Sequence, residues 1–373
     1  MTVARFGSFV LTSSNRFREP FDPVVEQIRG SLEEDPRVVA VQVPPIEDRW
    51  CTSYFIWPSP ADEESILTGA DRLAYLQFHR PLKFSVEVPA KNQPKRSDDD
   101  WVPTAYEVLW DGAVLLVSWQ ISADQFIGLS GGHIVGQILR EALERIGCSL
   151  YVQGCNPACT HEFVHSSIRF EMSDEDGEEI QYRDRGRPAE KVALIPKSFA
   201  SDPEFFLFND LVMAAQEFMI LKNRGRRILD SEVLCRAALR EVLGISYARS
   251  EMNTESWLER IKHQWAIRRW RTECRRLISQ VWLTLGNIEM LRREWEDFRF
   301  RFERFAVERE LGTLFHRDHA GEVERVEKLD TGLVSASVQE VANRLDNRAL
   351  LVATAVAAVS GAVGGAAVSG LMG

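Results

Sequence analysis

One short stretch of the sequence gathers side chains that bind transition metals. The segment CSLYVQGCNPACTHEFVH holds Cys148, Cys155, Cys159, His161 and His165. Thiolate and imidazole groups are the ligands that zinc prefers in proteins. The last four residues therefore form a candidate structural zinc site, although they lack the long spacer that usually separates two pairs of ligands. The alternative is that these side chains lie in the core or face solvent.

A second stretch, RIKHQWAIRRWRTECRRL, interleaves basic residues with tryptophans. Such a pattern can bind nucleic acid or the headgroups of anionic lipids. On a long helix it is more often a solvated face that pairs with acidic neighbours. Residues 201–373 hold 25 basic and 25 acidic residues, so we expect the solvated face and no nucleic-acid partner. The basic patch consists of Arg268, Arg269, Arg271, Arg275 and Arg276.

The remaining motifs carry little chemistry. The loop GLSGGH precedes an expected helix at Ile134 and could offer backbone N–H groups to an anion. It lacks the Lys-Ser/Thr pair of a P-loop and the full dinucleotide fingerprint, so we expect an ordinary helix start. Ser, His and Asp residues do not show the spacing of a nucleophile elbow, a kinase or a metalloprotease. We therefore expect no enzymatic activity.

Residues 349–373 contain no charged side chain. As a helix they would measure roughly 37 Å, which exceeds the roughly 30 Å hydrocarbon core of a bilayer. Arg344 and Arg348 come just before this run, so the positive-inside rule places the N-terminal side in the cytoplasm. The sequence predicts a single-pass protein of the inner or plasma membrane. The alternative is an Ala/Gly-rich tail on a soluble protein, because these residues drive insertion weakly.

Small residues recur at every fourth position of this run. On a helix this spacing forms a continuous ridge, which lets neighbouring backbones approach closely in lipid. We therefore expect the lipid bilayer and further copies of the chain as partners. The predicted pore-lining or helix-packing residues are Ala353, Ala357, Gly361, Gly365, Ser369, Gly370, Met372 and Gly373.

The elements before the tail divide into a mixed half and a helical half. All 15 prolines lie between Pro20 and Pro203, which indicates a boundary near residue 200. Before it, the apolar periodicity predicts about six strands and three helices, hence a mixed sheet with helices packed on it. Asp111-Gly112 between two strand-like runs predicts a hairpin. The acidic excess also lies here, with 30 acidic and 20 basic residues in 1–200.

The second half is predicted to be helical. Two helices are expected to end at Gly225 and Gly244, and a long helix is expected to begin near Asn253 to Ser256. Residues 312–324, which are polar and contain two glycines, are expected to interrupt it. A stalk helix is expected to run from Glu322 to the C-terminus. The apolar seam predicted along the long helix is Cys274, Ile278, Val281, Leu285, Ile288, Leu291, Trp295, Phe298, Phe302 and Phe305.

This layout resembles the CorA-like family of divalent-cation transporters. The last 30 residues, RLDNRALLVATAVAAVSGAVGGAAVSGLMG, are similar to the end of the family's stalk and its pore-lining helix. Asn347 precedes Thr354 by seven residues, as in many family sequences. The end Gly370-Leu371-Met372-Gly373 falls where the family has Gly-Met-Asn, with glycine in place of the asparagine. No second apolar segment follows, so we expect one transmembrane helix per chain.

The resemblance implies a fold, an assembly and an activity. The fold is a cytosolic α/β domain, antiparallel helices and a stalk that continues into the membrane. The assembly is a homo-oligomer, in this family a pentamer, and the bound ion is a divalent cation. Because Gly373 replaces the asparagine of the ion-entry motif, ordinary magnesium selectivity is not expected.

The sequence therefore predicts four segments: an α/β domain (residues 1–200), a helical domain with a long coiled-coil-like helix (201–321), a stalk helix (322–348) and a transmembrane helix (349–373). The six dispersed cysteines and the absence of a signal-peptide pattern place the body in the cytoplasm. We expect a homo-oligomer whose cytosolic domain senses a signal and controls ion passage or membrane permeabilisation. The alternative is a tail-anchored scaffold or signalling adaptor without transport activity.

Overall fold

The computed structural model describes residues 1–13, 21–45, 51–56, 73–95, 101–122, 131–152, 162–184, 190–252 and 264–345. The described residues form two compact units, the first from 1–56, 73–223 and 299–324, and the second from 224–298 and 325–345. The predicted mixed sheet followed by long helices is confirmed.

Eleven strands and six α-helices lie in the described residues. The strands are β1 (Thr2–Ser13), β2 (Val38–Gln42), β3 (Cys51–Ile56), β4 (Leu73–Phe78), β5 (Leu82–Glu87), β6 (Ala105–Trp110), β7 (Val114–Gln120), β8 (Ser149–Val152), β9 (Ser167–Met172), β10 (Gln181–Asp184) and β11 (Glu190–Ile195). The helices are α1 (Phe21–Glu33), α2 (His133–Arg145), α3 (Pro203–Met252), α4 (Gln264–Glu308), α5 (Gly312–Glu327) and α6 (Gly332–Leu345).

Strand β1 lies inside the main sheet, whose order is β10-β11-β9-β1-β7-β6-β5-β2. Its first half pairs with β7 on one edge, where Phe6 lies opposite Leu116, and with β9 on the other. Its second half pairs with β8 and β4, and β4 in turn pairs with β3. The described pairs are antiparallel except β9 with β11, so the sheet is mixed.

Helices cover both faces of this sheet in the first unit. The apolar sides of α1 and α2 share one core with Phe9 of β1 and with β5, β6 and β7. Because successive side chains of a strand point to opposite faces, the even-numbered residues of β1 face the other helix layer. There the Phe6 ring lies 5.5 Å from the Phe315 ring of α5. The first unit is therefore an α/β sandwich of three layers.

The predicted hairpin at Asp111-Gly112 is confirmed, because it joins β6 to β7. The buried Asp111 carboxylate accepts hydrogen bonds from the backbone N–H groups of Ala113 (2.9 Å) and Val114 (2.6 Å). Burial raises the pKa of Asp111, and these bonds oppose that effect. Gly112 has φ +87°, and a Cβ there would lie 2.3 Å from the Leu76 carbonyl oxygen, so the turn requires glycine.

The second unit consists of the later part of α3, the earlier part of α4, the end of α5 and α6. Helices α3 and α4 run antiparallel, because Arg224 Nη1 lies 2.6 Å from Glu294 Oε2 and Cys235 Sγ lies 3.8 Å from the Val281 carbonyl oxygen. The predicted seam of α4 is confirmed at eight of its ten positions, which are buried. The exceptions are Phe298 and Phe305, which are half-buried.

The predicted helix ends at Gly225 and Gly244 are wrong. Helix α3 is a single helix of 50 residues that passes through both positions. Neither glycine has the positive φ of a helix cap. A glycine inside a helix costs only about 1 kcal/mol relative to alanine, which burial of the apolar residues of α3 outweighs.

The predicted interruption at residues 312–324 and the unbroken stalk from Glu322 are also wrong. Residues 312–327 form α5, and the chain leaves the helix at 328–331 before α6 begins. Burial of Leu314 and Phe315 explains why this polar, glycine-containing stretch is helical. At the break, the Asp330 side chain accepts a 2.8 Å hydrogen bond from the N–H of Gly332.

The sequence predicted about six strands, and five more are present in the described residues. The most important omission is β1, where Val3, Phe6, Phe9 and Leu11 are fully buried. Because β1 is covered on both faces, its buried apolar residues fall at odd and even positions and are interrupted by Arg5, Gly7 and Ser8, so the strand lacks the alternation that identifies a half-exposed strand.

Replacing Gly244 by alanine tests the continuity of α3. A Cβ at this position meets no atom within 4 Å, so Gly244→Ala should raise the free energy of unfolding by about 0.5–1 kcal/mol. Urea denaturation measures this value. The matched control, Gly112→Ala, should lower it by about 2 kcal/mol or more. A loss of stability in Gly244→Ala would instead indicate that the helix ends there.

Candidate functional site

The predicted transmembrane helix lies outside the described residues. This applies to every predicted pore-lining or helix-packing position, namely Ala353, Ala357, Gly361, Gly365, Ser369, Gly370, Met372 and Gly373. Within the described ranges, which stop at residue 345, no helix combines the length and the apolar character needed to cross a membrane. The membrane segment therefore stays a prediction from the sequence.

The candidate zinc ligands are only partly covered, because Cys155, Cys159 and His161 lie outside the described residues. His165 is described, and it precedes β9 rather than lying in it. Its side chain is 8% exposed, and its Nδ1 lies 3.0 Å from Asp318 Oδ1. Among the described residues, no three His, Cys, Asp or Glu side chains converge as a metal site would require.

Asp318 holds His165 through two contacts. One carboxylate oxygen accepts the backbone N–H of His165 at 3.0 Å, and the other meets the imidazole Nδ1. Because an ionised carboxylate is an acceptor only, Nδ1 must carry the proton of this hydrogen bond. Asp318 is 4% exposed and lies on α5, one turn after Phe315. The pair therefore fastens α5 to the segment that enters β9.

A cavity of about 20 Å³, large enough for one water molecule, lies beside this pair. Its polar lining consists of Ser8, Glu162, Lys222 and Asp318, and its apolar lining includes Phe218. Lys222 is 7% exposed, and its Nζ lies 5.7 Å from the centre of the Phe218 ring. The cavity is too small for an organic substrate, which argues against catalysis at this cluster.

Two further histidines of the first unit lie beside carboxylates. His133 Nδ1, at the start of α2, is 3.5 Å from Glu162 Oε2, and Arg140 donates a 2.8 Å hydrogen bond to Oε1 of the same carboxylate. Burial by itself raises the pKa of Glu162, but His133 and Arg140 outweigh this effect, so its pKa is lowered. Glu162 is therefore a carboxylate held in its charged form by two neighbours.

The other histidine is His319 on α5, whose Nε2 lies 3.4 Å from Glu303 Oε1 of α4. Its ring is 5.6 Å from the Phe302 ring. Burial lowers the pKa of His319 below its ordinary value of 6.5; Glu303 opposes this effect, and Arg299 and His316 add to it. The ring is thus kept neutral near pH 7 by its surroundings.

These His–carboxylate pairs were missed by the sequence reasoning. The local signal was the run HRDH, residues 316–319, which lies in α5 instead of in the predicted break. Asp318 and His165 are 153 residues apart, so no local pattern could have joined them. Of these three histidines, His319 has a pKa that burial lowers, so its ring takes up a proton only in mild acid.

The loop GLSGGH is described only at its end, from Gly131. Gly132 has φ +93° and is the N-cap of α2, and the Arg5 guanidinium donates a 2.9 Å hydrogen bond to the Gly131 carbonyl oxygen. A Cβ at Gly131 would lie 3.1 Å from Trp119. The glycines therefore allow close packing of the helix start.

The basic patch lies at the start of α4 in the second unit. Arg275 and Arg276 are exposed, and Arg276 Nη2 lies 2.6 Å from Glu273 Oε1. The other three arginines, Arg268, Arg269 and Arg271, are placed on the helix by its backbone alone.

No family model matches this chain, and no curated protein or solved structure matches it either. The resemblance to CorA-like transporters therefore stays a prediction from the last 30 residues and from the order of the segments. Function has to be argued from the residues themselves.

The lowered pKa of His319 predicts a loss of stability in mild acid. The folded state takes up this proton less readily than the unfolded state, so the contribution of His319 is complete above about pH 6.5 and is lost as the pH falls through the lowered pKa. Urea denaturation between pH 7 and 5 should show a shallower decline for His319→Gln than for the parent chain. The exposed His79→Gln should keep the parental decline, and identical slopes in all three would contradict the assignment.

Removing the charge of Asp318 should destabilise the first unit. Asp318→Asn replaces an acceptor of two hydrogen bonds by an amide, which should lower the free energy of unfolding by about 1–3 kcal/mol. The matched change Glu303→Gln alters the 42%-exposed partner of His319 and should stay within about 0.5 kcal/mol. Thermal and urea denaturation measure both. An equal loss of stability in the two variants would mean that the buried Asp318–His165 contact stabilises the fold no more than the exposed Glu303–His319 contact does.

Proposed function

We propose that this protein is a homo-oligomeric membrane protein of CorA-like architecture. Its cytosolic α/β body senses a signal and controls the passage of ions, or the permeabilisation of the membrane, through a bundle of C-terminal helices. The observation that carries the proposal is the uncharged run of residues 349–373, which begins four residues after α6 ends at Leu345. A run of this length is sufficient to span a bilayer as a helix.

The composition of the run supports a role in assembly beyond simple attachment. A tether gains insertion energy from leucine, whereas this segment is rich in alanine and glycine, which insert weakly. Small residues instead favour close helix–helix contact in lipid. Several chains would therefore pack through the ridge from Ala353 to Gly373, with a pore at the axis of the bundle.

The direction of insertion follows from the flanking charges. Arg344 and Arg348 precede the run, and basic residues stay on the cytoplasmic side. The body would then lie in the cytoplasm at an inner or plasma membrane. The His–carboxylate pairs of the first unit offer one chemistry by which such a body could sense its surroundings, namely proton uptake at His319.

A tail-anchored scaffold or adaptor without transport is the second candidate. The observation that favours it is Gly373, which stands where the family carries the ion-coordinating asparagine and has no side chain to offer an ion. In this case residues 349–373 would only hold the chain at the bilayer.

Substitutions on the ridge separate the two candidates. In proteoliposomes containing the full chain, Gly361→Leu/Gly365→Leu should abolish ion flux and oligomer formation, because branched side chains keep the helices apart. The matched pair Val359→Leu/Val363→Leu changes the opposite side of the helix at the same spacing and should retain both. Flux is measured with an entrapped ion-sensitive dye, and assembly by crosslinking.

The outcomes are distinct. Unchanged membrane insertion with no flux from any variant, the parent included, would favour the adaptor. Extraction of the parent chain from vesicles by alkaline carbonate would reject both candidates.

A further inference from the structure

The antiparallel course of α3 and α4 defines one end of the second unit. The Arg224–Glu294 and Cys235–Val281 contacts set the register of the two helices. Glu273 is the main cause of the raised pKa of Arg276, and the negative charge of Glu241 on α3 also contributes to it. Because the two helices are antiparallel, the C-terminal end of α3 lies beside the N-terminal end of α4. The last two turns of α3 lie level with the first turns of α4.

This end of the unit exposes apolar side chains at the same level along the helices as the basic patch. Leu243 and Tyr247, one turn apart on α3, are 44% and 67% exposed. Residues 264–276 of α4, at the same level, contain five arginines and one glutamate, together with Trp265 and Trp270. We name the set of Leu243, Tyr247 and the basic patch the bundle end.

Helix α6 connects the second unit to the uncharged run. Just before it, the Leu329 carbonyl oxygen accepts a 2.5 Å hydrogen bond from Arg292 Nη2 of α4. Helix α6 buries Val334, Val338 and Val341 and belongs to the same unit. From this contact the chain continues through α6 to Leu345, four residues before the uncharged run.

We propose that the bundle end rests on the surface of an anionic phospholipid bilayer, with the exposed Arg275 and Arg276 against headgroup phosphates and with Leu243 and Tyr247 at the headgroup boundary. This inference rests on the proposed membrane function and adds a lipid partner to it. The bilayer would thus be contacted twice by the same chain, by the segment that crosses it and by the bundle end.

Charge and composition favour lipid over nucleic acid as the occupant. Tyrosine and tryptophan beside arginine are typical of the membrane–water boundary, where one part of a side chain is apolar and the other polar. The chain leads from α6 through Arg344 and Arg348 directly to the uncharged run. A nucleic acid would account for the arginines but not for the exposed Leu243 at the same end of the unit.

The basic residues of this surface should strengthen binding to an anionic bilayer by a measurable factor. A basic residue close to an anionic leaflet changes partitioning by about fivefold, and salt screens the effect. Glu273, paired with Arg276, and Glu241 of α3, which also attracts Arg276, reduce the effective charge of the patch. Removal of both exposed arginines, Arg275 and Arg276, should still weaken the contact by about tenfold or more.

Hydrogen exchange of the full chain in vesicles tests the proposal. Two vesicle types are compared, one of phosphatidylcholine alone and one with about 30% phosphatidylglycerol. Backbone amides of residues 243–252 and 264–276 should exchange more slowly in the anionic vesicles, and raised salt should remove the difference. The substitution Arg275→Glu/Arg276→Glu should abolish this protection. The control Arg304→Glu/Arg317→Glu changes two exposed arginines of the first unit and should keep it.

Each outcome has one meaning. Equal exchange in neutral and anionic vesicles, with the chain resistant to carbonate extraction, would overturn the lipid surface and leave the membrane function standing. Protection of the same segments by a short RNA or DNA duplex, and not by anionic vesicles, would assign the patch to nucleic acid. Carbonate extraction of the chain would reject the membrane function itself. Arg275→Gln/Arg276→Gln, which adds no negative charge, should give the intermediate loss expected from removing two cations.

Discussion

The first unit depends on the complete burial of strand β1. Its backbone is bonded on both edges, to β7, the hairpin turn and β4 on one side, and to β9 and β8 on the other. Its two faces carry different cores, one shared with α1 and α2 and one with α5 and the start of α3. Because each backbone polar group that is buried needs a partner, a strand with both faces covered must lie inside the sheet. The two helix layers follow from that position.

Burial of charge is the second constraint on this unit. Arg169 is 1% exposed and pairs with Glu190, and the buried Asp318 carboxylate accepts hydrogen bonds from His165. A buried ion pair contributes little net stability, yet losing one partner is costly, since the remaining charge stays desolvated. Such pairs therefore fix which segments meet more than they add to stability. The contact between Asp318 and His165 fixes the position of α5 in this way.

The sequence predicted those features that local chemistry determines. The Asp111-Gly112 turn and the seam of α4 depend on residues a few positions apart, and both were found. The ends at Gly225 and Gly244 were wrong because a local breaker was outweighed by burial along a long helix. The segment 312–324 was misjudged for the same reason, since Phe315 packs between the Phe6, Phe218 and Phe302 rings. The two residues of each His–carboxylate pair are far apart in the sequence, so the periodicity of apolar residues gives no signal for these pairs.

The uneven distribution of charge along the chain determines how the protein could bind an anionic membrane. With a net charge of -10, the chain as a whole is repelled by an anionic membrane. Attraction requires that positive charge be concentrated, since interactions beyond about 8–10 Å are screened at physiological salt. The acidic excess lies in residues 1–200, whereas residues 264–276 carry five arginines against one glutamate. The basic patch concentrates positive charge at one end of the second unit, so the same electrostatics that would hold the bundle end on lipid would also favour one orientation of this unit there.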